Sequence, residues 1–371
     1  MTALAIAALL LLAYTYLGYP IAIGVLARLA RRRPNPAAGD GERPRVTICM
    51  PAYNGADYLP AKMRSLFAQD YPADRLEILV YLDGSTDDSE RIVRELAATP
   101  EAAGRLRVIV APERKGKPIA LNAMGAAATG DLLLLNDVRQ PLSLNATAAL
   151  AAAMADDGVG CATGNLVLAG GAGSGVYWRY ENWIRRQESR FRGVVGMSGS
   201  IAMMRRADWS PLPEGLILDD VWIPMKLGLG GKRVAFVEEA EARDAAFDDD
   251  QEFRRKVRTL AGNYQLFARM PALLNPFANR IWFETISHKI MRLVAPWLLV
   301  LLAVASARAA IASGSLAMHG LFAAQIAFYA AAAVGSRLGR LAGVARTFVV
   351  LNAAAVAGLY RYLTGRQRIT W

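Results

Sequence analysis

Cysteine is almost missing from this chain: two residues, Cys49 and Cys161, in 371. Both fall inside apolar stretches that read as strands, which excludes a disulfide framework and favours small core residues in a reducing compartment. Histidine is as scarce, and His288 and His319 lie too far from either cysteine for a zinc site. Charge is absent altogether from residues 1–27. Acids are short against bases, 32 to 43, leaving a formal charge of +11. That excess points to an anionic partner: nucleic acid, anionic lipid or a phosphorylated substrate. What remains is a chain 54% hydrophobic and 20% charged, with mean hydropathy +0.22. It is too apolar for an ordinary soluble domain and too charged for a bare membrane bundle. A soluble domain joined to membrane segments satisfies both figures.

The uncharged run at 1–27 is long enough to cross a bilayer, and Arg28, Arg31, Arg32 and Arg33 come directly after it. A cleaved leader would carry its positive charge before the apolar run, so residues 1–33 are expected to be an anchor, with the adjoining domain cytoplasmic. Pro34–Gly41 reads as a linker. From residue 45 short apolar runs alternate with amphipathic stretches. The expected strands are Val46–Met50, Leu76–Leu82, Leu106–Val110, Asp131–Asn136, Val159–Leu168, Ser200–Met204 and Arg233–Val237. Repeated βαβ units predict an α/β fold with a largely parallel sheet covered by helices. The four leucines before Asn136-Asp137 mark a strand buried on both faces, delivering a carboxylate to its carboxyl end, where open α/β sheets bind ligands.

The other early strands also end in polar turns. The first gives Pro51-Ala-Tyr53-Asn54-Gly55, and the second Asp83-Gly-Ser-Thr-Asp87. The third gives Glu113-Arg-Lys-Gly-Lys117, followed by a helix carrying Asn122. Each is ordinary turn chemistry by itself; four at one sheet edge would gather carboxylates, lysines and an aromatic. The lysine loop lacks the spacing of a nucleoside-triphosphatase phosphate loop, and Gly170–Gly175 does not open a helix as a dinucleotide fingerprint would. Tyr177, Trp178, Tyr180 and Trp183 alternate with arginines on a predicted helix. They could stack on a sugar acceptor, or simply pack on the sheet or the bilayer interface.

Taken together, Pro51-Ala-Tyr53-Asn54, Asp83-Gly-Ser-Thr-Asp87, Lys115-Gly-Lys117 with Asn122, and Asp137 resemble the family-2 glycosyltransferases over about residues 45–266. The resemblance implies the GT-A nucleotide-sugar fold, inverting chemistry and a Mg²⁺ or Mn²⁺ ion. It implies that Pro51, Tyr53 and Asp83 meet the nucleoside, with Asn54 also at the nucleotide-sugar. Lys117 and Asn122 would stand on the donor side, with Asp137 at the metal. Leu218-Asp219-Asp220 resembles the acidic pair of the same enzymes, which would make Asp220 the general base and Asp219 its neighbour. Ser198 and Gly199 correspond to a loop beside the acceptor, and Trp183 is expected on that side too. Three positions depart from the family pattern: Gly55 and Arg139 replace acids, and Arg255-Lys-Val-Arg258-Thr259 keeps only the arginine of the processive Gln-x-x-Arg-Trp motif. Asp137-Val-Arg139-Gln140 resembles an Asp-x-Arg-Gln subgroup of membrane transferases. Arg139, Arg255 and Arg258 are then expected near the nucleotide-sugar.

Beyond Pro271 the chain turns apolar again. A GT-A domain over 45–275, an interfacial amphipathic helix over 276–292 and a membrane region over 293–371 are expected, with three to four spans counting the anchor. The uncharged stretch Thr347–Tyr360 looks short for a crossing. The reading is a multi-pass inner-membrane enzyme, catalytic domain cytoplasmic, moving sugar from a UDP-sugar to a lipid-linked or growing saccharide acceptor. Its partners would include polysaccharide-export proteins, and not nucleic acid. The alternatives are a polyprenyl-phosphate sugar synthase and a catalytically silent nucleotide-binding relative that regulates export.

Overall fold

A computed structural model describes residues 1–30, 42–102, 104–169, 174–245 and 249–367. The linker at 34–41, most of the glycine run at 170–175 and the basic residues Arg31–Arg33 lie outside the described residues.

Seven strands form one sheet: β1 (Val46–Ala52), β2 (Leu76–Asp83), β3 (Leu106–Ala111), β4 (Leu132–Asn136), β5 (Val159–Ala169), β6 (Ile201–Arg205) and β7 (Arg233–Ala245). Their order is β3-β2-β1-β4-β6-β5-β7. The first four are parallel to one another, as expected. β6 runs antiparallel to both β4 and β5, while β5 and β7 are again parallel, so the sheet is largely parallel, as expected, with one reversed strand. Alternation explains why both faces are covered. Val46, Ile48 and Met50 with Leu132 and Leu134 enter one core. Cys49, Leu133 and Leu135 enter the other. Both cysteines are buried and free.

Helices α3 (Leu59–Phe67), α4 (Ser89–Ala97) and α6 (Ala146–Ala153) pack on the first face. Helices α5 (Lys117–Ala127) and α8 (Asp219–Leu229) cover the second. Two long amphipathic helices, α7 (Ser174–Phe191) and α9 (Asp249–Arg269), then link the sheet to an apolar layer. That layer begins at the amino end with α1 (Thr2–Ala13) and α2 (Tyr19–Leu29), joined through one π turn. It continues with a short α10 (Trp282–Glu284), α11 (Met291–Ser313), α12 (Leu316–Val334) and α13 (Arg340–Leu363).

Among the described residues, four helical runs are long and apolar enough to cross a membrane: Thr2–Leu29, Trp282–Ser313, Leu316–Val334 and Leu341–Leu363. The last is longer than the uncharged stretch Thr347–Tyr360 suggested, because Arg346 lies within the helix rather than ending it. The expected interfacial segment 276–292 is not a separate helix either. From Trp282 it runs into the crossing-length helix through a π turn at Thr285–Ile290.

Candidate active site

The carboxyl ends of β1, β2 and β4 bring the expected turns together, and hydrogen bonds tie them to one another. Asn54, at a left-handed φ of 47°, accepts from the Thr86 amide at 2.8 Å through Oδ1. Its own amide donates to Ser85 Oγ at 3.1 Å. Asn54 thus locks the first turn to the second. Asp83 is fully buried, and its two oxygens accept from the amides of Lys115 and Gly116, each at 2.8 Å. It holds the lysine loop in place. Gly84 makes that approach possible, since a Cβ there would come within 2.4 Å of the Arg114 amide nitrogen. Arg114 in turn lies 3.7 Å above the Tyr53 ring. A flat aromatic–guanidinium stack thereby stands at the mouth of the turns. Pro51 is buried at the end of β1.

Lys117, the first residue of α5, is the meeting point of the site. Its Nζ lies 2.8 Å from Asp137 Oδ1 and 3.3 Å from both Asp219 Oδ2 and the Gly199 carbonyl. Burial opposes its charge, but Asp137 and Asp219 outweigh that and raise its pKa. One ammonium therefore joins the carboxylate after β4 to the acidic pair that opens α8. Asp220 comes next on the same helix turn. Its Oδ1 is buried with no hydrogen-bond partner among the described residues. Burial and the neighbouring Asp219 push its carboxyl up to about 6, against the pull of Lys117, Lys289 and Arg258. Gly199 sits over both groups: a Cβ on it would lie 3.6 Å from Asp220 Oδ2 and 3.7 Å from Lys117 Nζ. Ser198 is fixed by its amide, which donates to Thr163 Oγ1 at 2.7 Å.

Other candidates have different surroundings. Asn122 exchanges two hydrogen bonds with the backbone of Leu212, at 2.9 and 2.7 Å, which commits both ends of its amide. Arg139 and Gln140 grip the buried Asp244 at 3.0 and 2.7 Å, a carboxylate that β7 supplies and that has no motif around it. Arg258 donates to the Ile217 carbonyl at 3.1 Å, just ahead of the acidic pair. Arg255 has Arg139, Asp244 and Asp137 among its charged neighbours. Trp183 packs toward the amino-terminal helix, its ring 3.0 Å from where a Gly24 Cβ would be.

Lys62 was missed. It is fully buried and donates to the Gln140 carbonyl at 2.6 Å. Burial brings it down to about 7, with Asp137 partly restoring it. Its signal was readable: Leu59, Lys62, Met63 and Leu66 share the inward face of α3, so a lysine occupies a core position.

For a divalent metal the more accessible carboxylate here is Asp137, since Asp219 is buried against the same Lys117 ammonium. Among the described residues no group of three or more His, Cys, Asp or Glu side chains converges. Asp244 is already held by Arg139 and Gln140. Asp137 keeps about a third of its side chain exposed (37%). That donor set fits an ion of the magnesium type, which takes one or two carboxylates and completes its shell with water and phosphate oxygens.

On the other side of Asp220 a cavity of about 470 Å³ opens toward the apolar layer. Asp220, Gly196 and Met197 form its inner end, and α7, α9, the helix carrying Lys289 and Arg292, and α13 form its walls. A buried ionic chain braces it. Arg292 pairs with Glu181 at 2.7 Å. His288 stands 3.2 Å from Glu181 and 2.6 Å from Glu188. Tyr19 of α2 donates to Glu188 at 2.5 Å.

Residues 47–209 match the family model described as Glycosyl transferase family 2. An N-acetylglucosaminyltransferase of Rhizobium meliloti (strain 1021) is 32% identical over 172 residues, 44% of this chain and 40% of the relative. One from Mesorhizobium japonicum is also 32% identical, over 186 residues, 46% of this chain and 43% of the relative. The matched region thus spans about two fifths of these curated relatives. A solved mannosyltransferase from Pyrobaculum calidifontis, in complex with GDP-Man and Mn²⁺, superimposes with TM-score 0.78 at 26% identity, covering 98% of this chain and 99% of that one. Over residues 47–209, therefore, the chain carries a domain of glycosyl transferase family 2, set in a GT-A-like sheet with apolar helices at both ends.

Proposed function

We propose that the chain is a membrane-bound inverting glycosyltransferase that moves a sugar from a nucleotide-sugar onto an acceptor entering from the membrane side. One observation carries the reading. Asp220 stands between a cationic, carboxylate-bearing donor side (Lys117, Asp137, Asp219) and a cavity that reaches the apolar helices. The donor's nucleoside would lie over the turns at Pro51–Asn54 and the Tyr53–Arg114 stack, with its diphosphate toward Lys117. The acceptor hydroxyl would come from the cavity and lose its proton to Asp220, whose raised pKa suits a base working near neutrality. Attack from that side, with the diphosphate leaving on the other, inverts the anomeric centre. As the bond to the sugar breaks, the Lys117 ammonium meets the charge gathering on the diphosphate. A Mg²⁺ or Mn²⁺ held by Asp137 would add neutralisation of the same oxygens.

A UDP-sugar is the expected donor. The names of the relatives make UDP-N-acetylglucosamine and GDP-mannose the first to try. The four crossing-length helices support a membrane location, with the sheet domain on the cytoplasmic side where nucleotide-sugars are made. The test is nucleoside-diphosphate release by the purified full chain against a panel of nucleotide-sugars, with and without Mn²⁺. Release from one donor, abolished in Asp220→Asn, supports the reading. No release from any donor sinks it.

A further inference from the structure

The cavity beside Asp220 holds more positive charge than its own carboxylates can answer. Arg185, Lys256, Lys289 and Arg292 line it, against Glu181 and Asp220. Glu181 is already spent on Arg292 and His288. Among the described residues neither Lys256 nor Lys289 has a carboxylate within ion-pair distance. Lys256 instead lies 5.0 Å from the Tyr177 ring and 5.7 Å from that of Trp178. Arg292 gives one nitrogen to Glu181, while its Nε and Nη2 are buried with no hydrogen-bond partner among the described residues. Cations held in a partly dry cavity with too little counter-charge are costly to keep, and an anionic ligand lowers that cost.

The rest of the wall is of opposite character. Val344, Phe348 and Leu351 of α13 line the same space, and Tyr16 stacks edge-on against Phe348 at 4.9 Å. Lys117 and Asp137 do not line it, so the cation set is separate from the one on the donor side.

We propose that the ligand of this cavity is a lipid whose headgroup bears a phosphate, seated on Lys289, Lys256 and the free edge of Arg292, with its hydrocarbon chain along α13. Calling that lipid the acceptor rests on the glycosyltransferase reading; the binding site does not. The phosphate seat fixes the head of the lipid beside Asp220, so the nearest hydroxyl is presented to the base while the chain stays in the membrane layer. A neutral lipid leaves the lysines unanswered, and free phosphate leaves the apolar wall unused.

The experiment measures binding of a fluorescent long-chain alkyl monophosphate to the full chain in neutral detergent. The alcohol of equal chain length and inorganic phosphate serve as competitors. The phosphate lipid is expected to bind at least about tenfold more tightly than the alcohol. Lys289→Gln and Lys256→Gln should each erase most of that preference, and Lys289→Arg should keep it. Equal affinity for alcohol and phosphate overturns the proposal, as do glutamine variants that bind the phosphate lipid as well as the unaltered chain. Inorganic phosphate competing as well as the lipid would make this a free-anion site and overturn it too. Nucleotide-sugar binding on the same samples reports whether each variant is folded. Donor release that fails in the unaltered chain, with lipid phosphate still bound, sinks the transferase reading and leaves the lipid site standing.

Discussion

The two sides of Asp220 treat charge in opposite ways. On the donor side the charges at the centre are mostly paired or capped already. Lys117 faces Asp137 and Asp219, Asp83 is capped by two amides, and Asp244 is held by Arg139 and Gln140. On the cavity side, Lys256 and Lys289 have no carboxylate within ion-pair distance among the described residues, and the cavity's cations outnumber Glu181 and Asp220. A self-neutralised site must exchange partners when a charged ligand arrives, whereas an uncompensated one simply accepts it. The donor side is therefore expected to be the more selective in geometry, and the membrane side the more sensitive to charge.

The largest expected effect tests the boundary itself. Asp220→Asn should lower transfer by about 10² to 10⁴ if the group is a general base, while nucleotide-sugar binding, followed by calorimetry, stays intact. Loss of both together would place Asp220 on the donor side instead. Next, Asp137→Ala should cost on the order of a hundredfold in transfer and remove the Mn²⁺ dependence of nucleotide binding. Unchanged dependence would move the metal elsewhere.

The pH profile comes third. As a general base Asp220 would have to be ionised, and burial and Asp219 hold its carboxyl up at about 6. Transfer should thus rise with pH through that value and level off above it. Lys117→Met removes a charge that favours the ionised form, so the midpoint should move upward. A midpoint that stays put would show that the ammonium does not act on the base.

Smaller effects concern the frame. Glu188→Ala leaves His288 and Tyr19 without their shared acid. It should cost about 3 kcal/mol, seen as a lower melting temperature in detergent. Trp183→Ala, facing Gly24, should cost only about 1–2 kcal/mol and leave transfer unchanged. A raised KM for the acceptor would return Trp183 to the acceptor side.

Legibility in the sequence divides along the same line. The strands and turns of the donor side are local: β4 is four leucines and an asparagine with an acid directly after it, and each polar turn comes directly after its own strand. Such signals lie within a few residues, so period and turn chemistry suffice. Even there, Asn54 and Asp83 could be placed at the site, but their bonds to the neighbouring turns could not be foreseen. The membrane side is assembled from Tyr16, Glu181, Asp220, Lys289 and Phe348, and no periodicity links positions so far apart. Asp244 illustrates the limit: only its register on β7 brings it to Arg139 and Gln140. The reversal of β6 was equally hidden, since a strand's pattern is the same in either direction.

The hydroxyl–carboxylate–imidazole chain through Tyr19, Glu188 and His288 also dictates an order of assembly. Tyr19 is synthesised 169 residues before Glu188, and Glu188 a further 100 before His288. Domains form largely as they emerge from the ribosome, so the sheet can be complete while its acid still has only half its partners. The latch between the sheet domain and the amino-terminal helical run stays incomplete until the helix carrying His288 has been made. Docking of that helix is then the step that closes the chain and commits the newly made protein to its final shape.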